Sequence, residues 1–142
     1  MVNEDQDHPL SIEYSLEPHL SAQEFRAVLV ASTLGERRPV DDLARLDKML
    51  RHADLIVTAR DGGRLVGISR AVTDFSYCCY LSDLAVDVAY QRQGIGKRLI
   101  DETRHAAGED TRLFLVAAPA AEGYYPKIGM THLLSCWATP KK

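Results

Sequence analysis

One segment constrains this chain more than any other: Leu84-Ala85-Val86-Asp87-Val88-Ala89-Tyr90-Gln91-Arg92-Gln93-Gly94-Ile95-Gly96-Lys97. It reads as the end of a buried strand, a short turn, and a helix whose first turn carries two glycines. Beyond it Ile95, Leu99, Ile100, Thr103 and Ala107 recur at helical spacing. Lys97, Arg98, Asp101, Glu102 and Arg104 fill the opposite face, and Gly108 closes the helix. A buried strand that feeds directly into an amphipathic helix implies a layered α/β arrangement.

The first N–H groups of a helix lack internal partners and sit at the positive end of its dipole. Glycines there let a bulky anion approach the backbone, and Lys97 and Arg98 add positive charge nearby. The segment thus has the makings of a phosphate or pyrophosphate cradle. The same glycines would also serve simply to pack a helix against a sheet. A P-loop is excluded, because Gln91 stands at its first glycine and Arg98 follows Lys97. A dinucleotide fingerprint is excluded by Leu99 at its last position.

The rest of the chain supplies a sheet for that helix. Ile12, Tyr14 and Leu16 alternate with polar residues as a half-buried strand. Ser21 and Glu24 form a capping box, with Leu20 and Phe25 placed as a hydrophobic staple, and Gly35 is a plausible helix stop. A second helix is expected from Asp41 to His52, after a polar loop over residues 36–40. Leu55–Ala59 and Leu65–Val72 make a hairpin through Asp61-Gly62-Gly63, and Cys78–Val86 follows as a central strand. Leu113–Ala117 is expected as a buried strand and Ala120–Ile128 as a helix distorted by Pro126. Leu133–Ala138 is expected as the last strand. The fold class is α/β: a mixed, mostly antiparallel sheet with helices on both faces, in a single domain over residues 1–142.

Composition removes several function classes. A net charge of −3, without a dense basic patch, argues against nucleic acid as a partner. The longest apolar run, Leu113 to Ala118, is too short to span a bilayer, so no membrane partner is expected. Residues Met1 to His8 are polar and acidic and lack the pattern of a signal peptide. Cys78, Cys79 and Cys136 form neither a disulfide framework nor a zinc site, and His8, His19, His52, His105 and His132 show no metal spacing. No metal is expected, and a reducing cytoplasm is the default compartment.

Gln91-Arg92-Gln93-Gly94-Ile95-Gly96 matches the pattern Q/R-x-x-G-x-G/A. Ala121-Glu122-Gly123-Tyr124-Tyr125-Pro126-Lys127-Ile128-Gly129-Met130 is similar to A-x-x-[FLY]-Y-x-K-x-G-F. In these two motifs, and in its order of elements, the chain resembles the GNAT N-acetyltransferase superfamily. The resemblance implies the acyl-CoA N-acyltransferase fold and acetyl-CoA as acyl donor. It implies a coenzyme A site formed by Gln91, Arg92, Gln93, Gly94, Ile95, Gly96 and Lys97, with pantetheine along Leu84, Ala85 and Val86. It places Tyr125 against the sulfur as general acid. Met130 departs from the usual aromatic, Ala118 from a frequent asparagine, and Pro126 is unusual within a helix.

The resemblance further implies direct attack by a primary amine, from a small molecule or a peptide, within a ternary complex. Asp83 is the leading candidate base, ahead of Asp74 and Asp87, although an Asp beside Ser82 is equally a solvated or backbone-bonded residue. Arg37 and Arg38 either bind an acceptor carboxylate or are ordinary solvated arginines, and Tyr80 and Phe75 are further candidates for lining the acceptor pocket. The family allows a homodimer. A non-catalytic acetyl-CoA sensor would keep the glycine turn without needing Tyr125.

Overall fold

In the computed structural model, residues 11–141 are described, so the reading of Met1 to His8 lies outside them. Five strands form one sheet in the order β1-β2-β3-β4-β5. These are β1 (Ile12–Leu16), β2 (Leu55–Asp61), β3 (Arg64–Thr73), β4 (Cys78–Val86) and β5 (Arg112–Phe114). The first three pairings are antiparallel and β4 pairs with β5 in parallel. Gly62 and Gly63 both take positive φ, which the tight β2–β3 turn requires.

Two helices cover one face of the sheet: α1 (Ala22–Ser32) and α2 (Leu43–Arg51). Ser21 caps α1 by accepting the Glu24 N–H at 3.1 Å. The capping box is only half closed, because the Glu24 carboxylate reaches Arg60 instead. Leu20 and Phe25 are both buried, as a staple demands. Phe25, Leu29, Leu46 and Leu50 pack with Ile56, Ile68 and Ala85 of the sheet. Each such fully buried side chain contributes about 1.5–3 kcal/mol relative to exposure. Gly35 is not the helix stop. Thr33 takes the left-handed conformation that ends α1, and Gly35 lies in a short 3-10 turn where a Cβ would sit 3.2 Å from the Leu29 backbone. The start of the expected polar loop, Glu36 and Arg37, belongs to that turn, Leu34–Arg37.

The opposite face carries α3 (Ile95–Ala107), which lays Ile95, Leu99 and Ile100 over β2, β3 and β4. Its buried Thr103 hydroxyl bonds Ser69 of β3 at 2.7 Å, so this interface has a polar register pin. The last helix, α4 (Tyr124–Lys127), is one turn long. Pro126 sits in that first turn, where its missing N–H has no helical partner to lose, so the proline shortens nothing. Residues Pro119–Ala121 form a separate 3-10 turn.

Two strand expectations need correction. β5 pairs over three residues only, because β4 and the following chain diverge beyond Tyr80 and Phe114. Leu133–Ala138 forms no strand; Leu134 and Trp137 are 86% and 91% exposed. An apolar segment becomes a strand only when a ladder accepts it, and among the described residues none does. Among the described residues no helix is long and apolar enough to cross a membrane.

Candidate functional site

The divergence of β5 exposes the edge of β4 from Leu81 to Val86, where among the described residues no strand completes the ladder. A bulge at Ser82 shifts the β3–β4 register, pairing Arg70 with Asp83 but Ala71 with Leu81. Such an insertion bends a strand and terminates regular pairing. The free edge runs straight into the glycine turn. Asp87 closes the end of β4 by accepting the Ala89 N–H at 2.9 Å and pairing with Arg64. The Gln91 side chain then donates to the Val86 carbonyl at 3.0 Å, tying the turn back to the strand.

Arg92 and Gly94 are both left-handed, with φ 64 and 84. Gly94 is the N-cap of α3, and no atom lies within 4 Å of where its Cβ would be. The first intrahelical bond runs from the Arg98 N–H to the Gly94 carbonyl, so the preceding N–H groups of α3 have no helical acceptor. The two glycines therefore do different work. Gly94 leaves open space, whereas a Cβ on Gly96 would meet the Tyr124 hydroxyl at 2.9 Å. That phenol lies against the Lys97 N–H; burial raises its pKa more than the hydrogen bond lowers it.

The side-chain charges beside the turn are paired along the helix. Lys97 pairs with Asp101 and Arg98 with Glu102, each four residues on along α3. Arg98 also lies over the Tyr14 ring at 4.7 Å, toward β1. The positive end of the turn is thus mainly backbone, with Arg92 exposed beside it. Ile95 is buried as an anchor into the sheet. Gln93 faces away from the free edge and borders an open concavity of about 430 Å³ with Ile12, Tyr14, Ile95 and Arg98.

Tyr125 packs into the apolar cluster that holds Leu81, Leu84, Ile100 and Leu113, beside the free edge of β4. Its ring meets Tyr124 edge-on, with centroids 5.3 Å apart. Burial, and secondarily Tyr124, pushes its phenol pKa above the usual value.

Asp83 occupies a different setting from that of a free base. It is completely buried, and its two oxygens take separate guanidiniums. Arg38 Nε donates to one at 2.5 Å and Arg70 Nε donates to the other. Arg38 also donates to the Ser82 carbonyl at 2.9 Å, and Arg70 to the Ser82 hydroxyl at 3.0 Å. The Arg38 side chain is therefore not simply solvated. A carboxylate so occupied positions arginines and has no lone pair turned to solvent for a proton. Asp74 and Asp87 are likewise engaged with backbone N–H groups; three of these hold the Asp74 pKa down to about 2. Arg70 escaped the sequence reading, although an arginine inside the apolar stretch Leu65–Val72 signals a buried partner.

Tyr80 lies at the root of the cleft, its ring stacked on Phe114 with centroids 5.1 Å apart. Phe75 does not join it: it sits in the β3–β4 turn, where its carbonyl faces Gly108 at the far end of α3. Cys78 is exposed and Cys79 buried, as opposite faces of a strand require, and Cys136 is exposed. Among the described residues no group of three or more His, Cys, Asp or Glu is placed to hold a metal.

Residues 21–130 match the model of the acetyltransferase (GNAT) family. No curated protein matches the sequence. A GNAT-family acetyltransferase from Streptococcus pneumoniae superposes with a TM-score of 0.74 at 24% identity, over 92% of this chain and 97% of that one. An aminoglycoside N-acetyltransferase in complex with CoA superposes at 0.72 and 16% identity, over 96% and 98% of the two chains. An aminoglycoside acetyltransferase from an uncultured soil metagenomic sample, in complex with sisomicin, gives 0.63 at 20% identity, over 92% and 97%. At these identities the three structures show a shared fold.

Proposed function

The chain belongs to the GNAT acetyltransferase family, and from that premise we propose that it transfers the acetyl group of acetyl-CoA to a primary amine. The observation that carries this reading is the continuity of the unpaired β4 edge with the open, left-handed turn at Gly94. One offers a ladder to an extended amide-bearing arm, and the other offers bare N–H groups to a pyrophosphate at its end. Residues 92 to 97 would hold the pyrophosphate, with Gln91 bracing the turn and Ile95 anchoring it. Leu84, Ala85 and Val86 would line the arm. The residues present fit the group.

When bound, acetyl-CoA supplies a thioester carbonyl carbon and a thiol leaving group. The neutral amine forms the C–N bond as the C–S bond breaks. The Tyr125 phenol, packed beside the cleft, gives its proton to the departing sulfur and is reprotonated from solvent. An ordinary thiol pKa of about 8.5 and phenol pKa of about 10 make that transfer nearly matched. The amine gives its proton to water, since Asp83, Asp74 and Asp87 are all engaged. The three free cysteines suit a reducing compartment.

Calorimetric titration with acetyl-CoA, with ATP and NAD as controls, tests the reading. Micromolar binding, about −8 kcal/mol, is the expected result. No acetyl-CoA binding near millimolar, about −4 kcal/mol, overturns it. Binding with no release of thiol from acetyl-CoA in the presence of any amine would favour a sensor domain. Gly94→Val tests the turn itself. Valine at φ 84 is strained by about 1–2 kcal/mol and puts methyl groups into space that is now open. Acetyl-CoA affinity falls by roughly tenfold or more, about 1.4 kcal/mol or greater, in a chain that still unfolds cooperatively. Unchanged affinity removes the glycine turn from the pyrophosphate site.

A further inference from the structure

We infer that the acceptor is a small amine carrying both a large apolar or aromatic group and a carboxylate, the chemistry of a free apolar α-amino acid. The inference rests on the acetyl transfer proposed above and concerns the sheet face covered by α1 and α2. Those helices cover Ile68 and Ala85 but leave the other end of β3 and β4 open. Val72, Tyr80 and Phe114 stand on adjacent strands in direct register there, with Val72 opposite Tyr80 and Tyr80 beside Phe114. Val72 and Phe114 are both exposed, as is Val116 on the diverging chain. A contiguous apolar surface at the root of a cleft marks a ligand-binding wall.

One step along the same face, the next pair in register is Arg70 with Asp83, joined by Arg38 from the turn after α1. Two guanidiniums share one carboxylate, so the cluster carries a net positive charge. Arg38 is its outward member: its side chain is 22% exposed, against 10% for Arg70. A guanidinium has five N–H donors. Arg38 uses three, toward Asp83, Arg37 and Ser82. The two that remain can take a carboxylate, and Asp83 holds the fork in place for it. Glu36 and Arg37, exposed beside it, offset each other in charge. Asp54 and Asp74, at the strand ends, both accept backbone N–H groups. A polycationic acceptor would therefore meet a positive wall, whereas an anionic group next to an apolar body finds complements to both.

Initial rates of thiol release from acetyl-CoA test this with matched pairs: phenylalanine against phenethylamine, leucine against 3-methylbutylamine, and spermidine as polycation. The expected result is a kcat/KM at least tenfold higher for each amino acid than for its decarboxylated partner or for spermidine. Arg38→Gln keeps the Asp83–Arg70 pair. It lowers kcat/KM for phenylalanine at least tenfold more than kcat/KM for phenethylamine. Phe114→Ala, which touches no ion pair, raises KM for phenylalanine while sparing glycine. Titration of N-acetylphenylalanine into the protein alone, followed through the ring protons of Tyr80 and Phe114, reads the same site without the donor. Acetylation of other amines with no preference for the carboxylate, or a preference that survives Arg38→Gln, overturns the inference and leaves acetyl transfer standing. Perturbation of both rings by N-acetylphenylalanine, with no acetyl-CoA binding, supports the site and overturns the transfer.

Discussion

Asp83→Asn lowers the midpoint of thermal unfolding by roughly 10 °C. Asparagine preserves the volume of the side chain but carries no charge, and the two guanidiniums facing it are largely buried. Removing the shared partner from such a cluster costs about 3–5 kcal/mol, because the cations are left uncompensated. For a domain of this size each kcal/mol moves the midpoint by about 2–4 °C. Arg38→Gln has a smaller effect, since Asp83 and Arg70 remain a neutral pair. Thermal unfolding followed by circular dichroism checks both, and a shift of under about 2 °C for Asp83→Asn would show that the cluster does not carry this load. The same variant, assayed well below its midpoint, also separates structure from catalysis. Retention of the wild-type pH profile of kcat means that Asp83 is a positioning residue, and loss of its acidic limb would restore it as a base.

Tyr125→Phe lowers kcat by about 10²–10⁴-fold, the range for loss of a positioned proton donor, while acetyl-CoA affinity stays near wild type. The ring still fills its place among Leu81, Leu84, Ile100 and Leu113, so the fold and the cleft persist. The pH profile supplies the sign. The neutral phenol is the donating form, and burial raises its pKa above the ordinary tyrosine value. Activity therefore rises with pH as the amine loses its proton and falls only beyond about pH 10. In Tyr125→Phe the alkaline fall disappears. Tyr124→Phe is the matched comparison: its hydroxyl lies on the α3 terminus at Gly96, so it alters cofactor affinity more than kcat. Equal losses of kcat in the two variants would remove the specific role of Tyr125.

The parts of this protein readable from sequence are those with local causes. Ser21 announces the start of α1, Gly62-Gly63 the β2–β3 hairpin, and Gly108 the end of α3, because each acts on backbone within a few residues. The strand–turn–helix around Gly94 was legible for the same reason, and so was the family, whose motifs lie in short contiguous runs. Arg70, Asp83 and Arg38 lie far apart in sequence, and only the β3–β4 register with its bulge at Ser82 brings their charges together. Lys97 and Arg98 read from sequence as positive charge beside the turn, and helical spacing pairs them with Asp101 and Glu102. Leu133–Ala138 read as a last strand, but a strand exists only where another strand supplies its hydrogen bonds. Sequence determined the helix cap at Ser21, the β2–β3 hairpin and the glycine turn through short-range backbone geometry. Tertiary structure decided which charges are buried together, where the sheet stops and which edge stays open, because these depend on pairing between distant segments.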